Sequence, residues 1–337
     1  MRFIICGAGA IGGVIGGQLA KAGREVIFLE KLPEHVSAIE ANGLQLRGIH
    51  GNHILRVPVV THAGQIAFHP DDVIFLAVKS FHSDAACAEL RQATSLELPI
   101  FCSQNGMRNE EVAARYFRHV HGVMVLIGAK RLEPGVVVHT GSGPLGVGTF
   151  PEGVSQAARE VVAALNQTDL QAYTTDHIPH HKWNKMLINL TNATMGLTGL
   201  SSHEARATME SRLWMADVYE EGARVLQAAG IQYDGPPGMG PIEDRIRELR
   251  DPHFQPSVPD AEELKGRASL WQDLYHRRGE VEADYFNGEI VRLGQQHDIP
   301  TPYSSLSVEL IKAMATAREL PGKYTIKQLR ELIQQRT

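Results

Sequence analysis

Three polar residues share one face of a predicted helix in the second half of the chain. Within residues 183–192, Lys185, Asn189 and Asn192 stand at positions i, i+4 and i+7, a spacing that places side chains on the same side of a helix. A lysine can protonate a developing alkoxide, and amides can hold a substrate by hydrogen bonds. The alternative is a solvated polar stripe, although two asparagines are unusual in an otherwise apolar helical stretch.

A glycine-rich segment at the start of the chain indicates dinucleotide binding. Gly7, Gly9 and Gly12 form the pattern GxGxxG, which here follows a predicted strand and begins a predicted helix, as the motif requires. The first glycine permits a tight turn, the second lets the backbone approach a pyrophosphate, and the third lets the helix pack on the strand. The free N–H groups of the helix start, at Ala10 and Ile11, would face the phosphates. A glycine turn without a ligand is the alternative.

The two residues after the second predicted strand bear on the choice of cofactor. Glu30 stands where a carboxylate accepts hydrogen bonds from the adenosine ribose hydroxyls, which favours NAD and repels a 2′-phosphate. Lys31 follows directly and could neutralise that phosphate instead. The two side chains favour opposite cofactors, and the position of Glu30 makes NAD the slightly favoured prediction.

The glycine turn requires a parallel sheet behind it, and the first half of the chain has the pattern of one. Apolar runs alternate with helical segments, which is typical of a parallel α/β sheet, and residues 73–78 are apolar without alternation, as in a strand covered on both faces. The predicted strands are residues 2–6, 25–29, 73–78 and 98–102, and the predicted helices are residues 14–22 and 33–42. Three further strands, at residues 123–126, 136–139 and 145–149, have no helix between them, and we expect them to extend the sheet as antiparallel strands before a helix at 154–166.

The rest of the chain is predicted to be helical. The expected helices are residues 177–196, 204–229, 261–276, 282–297 and 303–318. This change from strands and helices to helices alone predicts a dinucleotide-binding domain at residues 1–171 and an all-α domain at residues 172–337. The active site is expected in the cleft between them. The total length of 337 residues also favours two domains over one.

Composition excludes several classes of protein. The net charge of −5 comes from interspersed acidic and basic residues, so no polybasic surface for nucleic acid or anionic lipid is expected. No apolar run is long enough for a membrane span or a signal peptide, and we expect a cytoplasmic protein. A homodimer is one option for the long helix at 204–229, whose apolar face could equally pack within its own chain.

Metal binding is not expected from the cysteines and histidines. Cys6, Cys87 and Cys102 are widely spaced and are expected to be small buried side chains in a reducing compartment. The histidines around Pro179 have no acidic or thiol partners beside them in the sequence, and solvated or capping roles suit them better.

Seven short motifs resemble, in order and over nearly the whole chain, those of the ketopantoate reductase (2-dehydropantoate 2-reductase) family. They are GAGAIGG at 7–13, AVKS at 77–80, QNG at 104–106, WNKMLIN at 183–189, SLWQD at 269–273, EADYFNG at 282–288 and IPTP at 299–302. The resemblance implies a Rossmann domain followed by an all-α domain like that of 6-phosphogluconate dehydrogenase. It also implies the NAD(P)H-dependent reduction of a 2-oxo acid to a 2-hydroxy acid. The leading case is 2-dehydropantoate to pantoate, in pantothenate biosynthesis.

The resemblance assigns roles to residues of the helical half. It implies that Lys185 is the general acid, that Glu282 is the active-site carboxylate, and that Asn189 and Ser269 bind the substrate. Asn192 is included among the substrate-binding residues, because a second family asparagine often stands one place later, where this chain has alanine.

The resemblance also assigns residues to the cofactor. Lys79 and Asn105 follow two predicted parallel strands, and the resemblance places them near the ribose and nicotinamide, at the sheet edge where ligands of open α/β sheets bind. Family members commonly carry a neutral residue and then arginine, matching NADPH, where this chain has Glu30 and Lys31. NADH and NADPH therefore both stay open.

Two alternative functions remain. One is a related dehydrogenase that acts on another 2-oxo or 2-hydroxy acid, or on an imine. The other is a non-catalytic dinucleotide-binding sensor, which would need the glycine turn but no proton donor at Lys185.

Overall fold

The chain divides into two compact units. The computed structural model describes residues 1–256 and 267–336, and the division between the units lies between Lys182 and Trp183. The sequence predicts this boundary earlier, at residues 171/172. The difference has a clear cause, because the strand Gln171–Thr174 pairs with Pro144–Thr149 and so extends the sheet of the first unit.

The first unit contains all the strands that the described residues form. These are β1 (Arg2–Cys6), β2 (Val26–Leu29), β3 (Leu44–Gly48), β4 (His53–Leu55), β5 (Val59–Val60), β6 (Asp72–Leu76), β7 (Ile100–Cys102), β8 (Val120–Val125), β9 (Gly128–Glu133), β10 (Val136–Gly141), β11 (Pro144–Thr149) and β12 (Gln171–Thr174). Its helices are α1 (Ala10–Lys21), α2 (Pro33–Asn42), α3 (Ser83–Ala93), α4 (Asn109–Ala114) and α5 (Gln156–Leu165).

Eight of these strands form a sheet that is mostly parallel. Their order is β12-β11-β8-β7-β6-β1-β2-β5, and β1 pairs in parallel with both β2 and β6. The pairing of β11 with β8 is the antiparallel exception. The predicted fold class, an α/β domain followed by a helical one, is confirmed.

The central strands are covered on both faces of this sheet. Along β1, Phe3 and Ile5 belong to one apolar cluster, whereas Ile4 and Cys6 belong to a second one. Because alternate side chains of a strand point to opposite faces, the two clusters are the two layers of core beside the sheet. Complete burial of a side chain such as Phe3 stabilises the fold by about 1.5–3 kcal/mol, which explains why this strand is apolar without alternation.

Two predictions about the later strands are wrong. β10 does not extend the main sheet; it lies in a separate four-stranded sheet of order β4-β3-β10-β9, paired in parallel with β3. β8 runs parallel to β7, not antiparallel. The strands β3, β4 and β5 were not predicted, and pairing with β3 gives β10 a partner outside the main sheet.

The helical unit begins within α6 (Ile178–Asn189), which spans the division of the chain. The other helices in the described part are α7 (Thr191–Thr198), α8 (Glu204–Ala207), α9 (Met209–Ala228), α10 (Ile242–Arg250), α11 (Ser269–Tyr275), α12 (Asn287–Gln296), α13 (Pro302–Thr316) and α14 (Ile326–Gln334). Part of the predicted helix 261–276 lies outside the described residues. None of the helices in residues 1–256 and 267–336 is both long and apolar enough to cross a membrane.

Two long predicted helices are interrupted. The predicted helix 177–196 divides at Leu190, whose N–H is shared between the carbonyls of Met186 and Leu187 at 3.1 Å each. The predicted helix 204–229 divides at Thr208, which is extended and caps α9 by accepting a hydrogen bond from Ser211 N–H. A side-chain oxygen at such a cap competes with continued helix, so the break is a local effect of sequence.

Candidate active site

The three glycines of the loop between β1 and α1 meet three different steric demands. Gly7 has a φ of +101°, and a Cβ there would lie 3.0 Å from the backbone of Ala77. A Cβ at Gly12 would collide with Gly7 O and lie 2.8 Å from Ala77 Cβ, whereas nothing lies within 4 Å of a Cβ placed at Gly9. Gly7 therefore makes the turn, Gly12 allows the helix to pack closely, and Gly9 borders open space.

The start of α1 lies directly at this open space. The helix begins at Ala10, earlier than the predicted Val14, and its N-cap residue Gly9 supplies no side-chain cap. The first intrahelical bond runs from Gly13 N–H to Gly9 O at 2.7 Å, so the N–H groups of Ala10 and Ile11 are available to a ligand. Open space beside free N–H groups and a helix N-terminus fits the pyrophosphate of a dinucleotide.

The carboxylate of Glu30 is fixed beside this loop. Its Oε2 accepts a hydrogen bond from Ala8 N–H at 2.8 Å, and its Oε1 accepts from Lys31 N–H at 2.8 Å and Leu32 N–H at 2.9 Å. Glu30, the residue after β2 that bears on the choice of cofactor, is therefore hydrogen-bonded directly to the glycine loop. The ammonium group of Lys31 turns elsewhere and forms an ion pair with Glu89.

A buried histidine, which the sequence did not single out, supports the glycine loop through a hydrogen bond. His35 lies on α2, is fully buried, and its ring bridges Ala8 and Gly135. Gly135 N–H donates to Nδ1 at 2.8 Å, so Nε2 carries the proton and donates to Ala8 O at 2.8 Å. Burial lowers the pKa of His35, which keeps the ring neutral as this pair of bonds requires. A histidine in the first turn of a helix gave no signal of this role.

The predicted cofactor residues Lys79 and Asn105 follow adjacent parallel strands. Lys79 stands before a short 3₁₀ turn after β6, and Asn105 follows β7. Their segments meet, because Ser80 Oγ donates to Asn105 O at 3.4 Å and Asn109 Nδ2 donates to the same oxygen at 2.9 Å. Both segments lie at the sheet edge where β1 runs into the glycine loop, since Ala77 N–H donates to Cys6 O at 2.8 Å.

Polar groups beneath this edge form a second set that the sequence did not reveal. Ser83 Oγ donates to Asn109 Oδ1 at 2.7 Å and accepts from Gln104 Nε2 at 2.8 Å. Gln104 Oε1 is buried and has no protein hydrogen-bond partner in the described part of the chain. Nearby on α4, Glu110 forms a buried ion pair with Lys182, and burial raises the pKa of Glu110 although the lysine opposes that shift. These contacts join residues far apart in sequence.

In the helical unit, Lys185 is partly buried on α6. Burial, followed by the positive charge of Arg245, lowers the pKa of Lys185 to about 8. Its neighbours Met186 and Leu187 are buried in the core at 1% and 0% exposure, and Asn189, one turn further along, is 5% exposed. An amine with a pKa near neutrality can release and regain a proton readily, which suits a general acid.

The junction between α6 and α7 brings together residues from three separate segments. Asn192 Nδ2, in the first turn of α7, lies 3.5 Å from Ser269 Oγ at the start of α11. Asn287 Nδ2, at the start of α12, donates to Leu190 O at 3.1 Å. We call Leu190, Asn192, Ser269 and Asn287 the junction cluster. The break at Leu190, absent from the prediction, leaves the carbonyl that Asn287 binds.

Glu282 belongs to the segment that leads into this cluster. It begins a 3₁₀ turn, Glu282–Tyr285, that directly precedes α12, and it is only 4% exposed. The structure therefore brings Asn192 and Ser269 into contact and ties the segment of Glu282 to the end of α6 through Asn287. Across residues 1–256 and 267–336, no group of three or more histidine, cysteine or acidic side chains is arranged to hold a metal ion.

Comparisons with known proteins match both units. The family model "Ketopantoate reductase PanE/ApbA" matches residues 3–152, and "Ketopantoate reductase PanE/ApbA C terminal" matches residues 177–315. The 2-dehydropantoate 2-reductase of Pyrococcus abyssi (strain GE5 / Orsay) is 30% identical over 313 residues, which are 93% of this chain and 97% of that protein. The enzyme of the same name from Streptococcus pyogenes serotype M1 is 27% identical over 318 residues, with the same shares.

Solved structures give the same result. A PanE/ApbA family ketopantoate reductase from Ralstonia eutropha JMP134 has a TM-score of 0.78 and 27% identity, covering 94% of this chain and 99% of that one. D-mandelate dehydrogenase, in a complex with NADH and anilino(oxo)acetate, has a TM-score of 0.80 at 24% identity, covering 95% and 100% of the two chains, and so shares the fold. With both family models matched and a 30% identical relative covered almost throughout, this chain belongs to the ketopantoate reductase family of NAD(P)-dependent oxidoreductases.

Proposed function

We propose that the protein reduces a 2-oxo acid to the corresponding 2-hydroxy acid, with 2-dehydropantoate as the leading substrate and pantoate as its product. The observation that carries this proposal is Lys185, whose pKa is about 8, on a helix that leads into the junction cluster. A non-catalytic sensor would have no use for such an amine. The name of the 30% identical relative, 2-dehydropantoate 2-reductase, supports the choice of substrate.

A nicotinamide held by the glycine loop would supply the hydride that the carbonyl carbon requires. Lys185 Nζ gives a proton to the carbonyl oxygen, so that the product is a neutral hydroxyl and the amine is reprotonated from water. Asn189, Asn192 and Ser269 hold the substrate by hydrogen bonds, and Glu282 supplies the carboxylate of the site. Positioned donors of this kind stabilise charge that develops on oxygen in the transition state.

The cofactor would be held by groups of the first unit. Gly7, Gly9, Ala10, Ile11 and Gly12 would form the pyrophosphate site. Gly9, Ala10 and Ile11 are partly exposed at the helix start, and the buried Gly7 and Gly12 shape the turn. Lys79 and Asn105 would hold the ribose and the nicotinamide.

We further propose that NADH is preferred to NADPH. The carboxylate of Glu30 is fixed by three backbone N–H groups, so it presents a stationary negative charge where a 2′-phosphate would have to lie. A ribose hydroxyl can donate a hydrogen bond to the same carboxylate, whereas a phosphate cannot.

A panel of 2-oxo acids, each assayed with NADH and with NADPH by nicotinamide absorbance, tests these assignments. We expect the highest kcat/KM with 2-dehydropantoate and NADH. A higher kcat/KM with another 2-oxo acid would favour the related-dehydrogenase alternative. A higher value with NADPH would contradict the role given to Glu30. The homodimer and the cytoplasmic location stay predictions, which light scattering and cell fractionation would test.

A further inference from the structure

The end of β2 carries one acid and one base whose partners differ completely. Glu30 is held by backbone N–H groups next to the glycine loop, whereas the ammonium of Lys31 pairs with Glu89. We propose that Glu89 is a specificity-determining residue. Because Glu89 pairs with Lys31, the ammonium group next to Glu30 is not available to a 2′-phosphate, and NADPH is disfavoured. This inference rests on the proposed function only in requiring that the chain bind a nicotinamide dinucleotide at the glycine loop.

Glu89 is the stationary member of the pair. It lies on α3, its side chain is 12% exposed, and its Oε1 accepts a hydrogen bond from Ala63 N–H at 2.9 Å. The Lys31 side chain is 64% exposed, so its position is set by the partner that attracts it. A long exposed side chain beside a fixed carboxylate is drawn toward that carboxylate, which determines where the ammonium group lies.

The charge of Glu89 is secured by its surroundings. Burial raises the pKa of Glu89, but the hydrogen bonds from Lys31 and Ala63 N–H and the neighbouring positive charges lower it by more, so its pKa lies below the usual range. His62 adds a nitrogen 3.8 Å from Oε1. Glu89 is therefore ionised at neutral pH and neutralises Lys31.

The balance of charge then decides between the cofactors. Glu30, Lys31 and Glu89 together carry one net negative charge at the end of β2. A 2′-phosphate brings up to two further negative charges at neutral pH, whereas the hydroxyl of NADH brings none. From the sequence alone, Glu30 favours NADH and Lys31 favours NADPH. Because Glu89, which is distant in the chain, pairs with Lys31, the effect of Glu30 prevails.

The test is direct binding, measured on the full-length protein without substrate. NADH and NADPH are titrated separately, and their dissociation constants are obtained from cofactor fluorescence. Glu89→Gln keeps an oxygen for Ala63 N–H but removes the charge that holds Lys31. We expect this variant to bind NADPH about fivefold more tightly, at the upper end of what an exposed ion pair can contribute, with the NADH constant changed by less than about twofold.

Two further variants show whether the effect acts through Lys31. Glu97→Gln removes a carboxylate from another exposed pair, with Arg91 at 3.2 Å, and should leave both dissociation constants unchanged. In the double variant Glu89→Gln with Lys31→Ala, the gain in NADPH affinity should disappear. Glu89→Asp, which draws the carboxylate back from Lys31 without changing charge, should shift NADPH binding in the same direction as Glu89→Gln and serves if that variant does not fold.

The outcomes separate this inference from the proposed function. If the glutamine variant changes neither constant, changes both equally, or keeps its gain without Lys31, Glu89 has no role in selecting the cofactor. Tighter binding of NADPH than NADH by the unaltered protein would overturn it as well. A protein that shows the expected shift but reduces no 2-oxo acid would contradict the proposed function alone.

Discussion

The glycine loop and the junction cluster offer different kinds of groups to the ligands that we propose for them. At the loop, the accessible groups are the backbone N–H groups of Ala10 and Ile11. Gly9 has no side chain and borders open space, so a ligand can approach the backbone there. In the junction cluster the groups are side chains, Asn192 and Ser269, that come from separate helices and meet at 3.5 Å. A shape common to all dinucleotides can be read by backbone, whereas a particular 2-oxo acid requires side chains.

This difference predicts that the two regions fail in different ways. A change at the loop should weaken dinucleotide binding, and a change on α6 should slow turnover without affecting that binding. The comparison would break down if a single substitution in either region altered both properties to the same degree.

The largest effect is expected at Lys185. Replacement of Lys185 by alanine removes the proposed proton donor, and loss of a positioned general acid typically lowers turnover by about 10²-fold. Steady-state kinetics should show this loss in kcat while the dissociation constant for NADH stays within about twofold. Arg245→Ala is a suitable control, because Arg245 influences the pKa of Lys185 without supplying the proton. Near-normal turnover in Lys185→Ala would remove Lys185 from the mechanism.

A smaller effect is expected at Gly9. A valine there would project into the open space beside the helix start and should weaken dinucleotide binding about tenfold, or about 1.4 kcal/mol. Because nothing lies within 4 Å of the added Cβ, the melting temperature should hardly change. Gly17→Ala on the same helix, where a Cβ meets leucine side chains at an ordinary 3.4 Å, is the control and should leave binding unchanged. Equal binding by Gly9→Val would show that no ligand approaches this backbone.

The smallest effect is expected at His35, which acts on the loop from behind. Asparagine can replace the acceptor for Gly135 N–H but cannot reach Ala8 O, whereas glutamine can replace the donor to Ala8 O. A hydrogen bond of this kind contributes about 1 kcal/mol, so His35→Asn should weaken NADH binding about fivefold and more than His35→Gln does. Isothermal titration calorimetry would measure both. If the two variants bind NADH equally, the bond to Ala8 does not position the loop.

The pH dependence of stability provides a second measurement on the same residue. Burial lowers the pKa of His35 in the folded protein, so the neutral ring stabilises the fold above the usual histidine pKa of about 6.5, and that stability is lost as the pH falls below it. Chemical unfolding between pH 7 and pH 5, roughly the range in which histidine titrates, should show a smaller loss for His35→Gln than for the unaltered protein. Buried His121, with a pKa lowered to about 4, contributes in the same direction to both proteins.

The sequence predicts the dinucleotide unit well because its signals are local. Three glycines, the strand before them and the carboxylate after the next strand lie within the first 30 residues, and each has a steric or electrostatic reason to be there. What the sequence could not predict are contacts between distant segments. The bridge of His35 between Ala8 and Gly135 and the pair of Lys31 with Glu89 depend on packing that no local pattern encodes.

In the helical unit, contacts between distant segments matter more than local sequence signals. The helical character of residues 183–192 is predictable, but the hydrogen bond that Leu190 O accepts from Asn287 is not, since Asn287 lies almost a hundred residues later in the chain. For Ser269 and Glu282, only the resemblance to a family implies a role in the site. Side chains that converge from separate helices leave no common spacing in the sequence, so their grouping requires the fold.

The central claim is that the amine of Lys185 protonates the substrate oxygen, and the pH profile of turnover tests it most directly. Because reduction needs the protonated amine, kcat with saturating cofactor and 2-oxo acid should fall as the pH rises through about 8, and the reverse oxidation should accelerate over the same range. In Lys185→Arg, whose guanidinium stays protonated, this limb should vanish from whatever activity remains. A limb near pH 8 that persists in the arginine variant would assign the proton to another group and contradict the account.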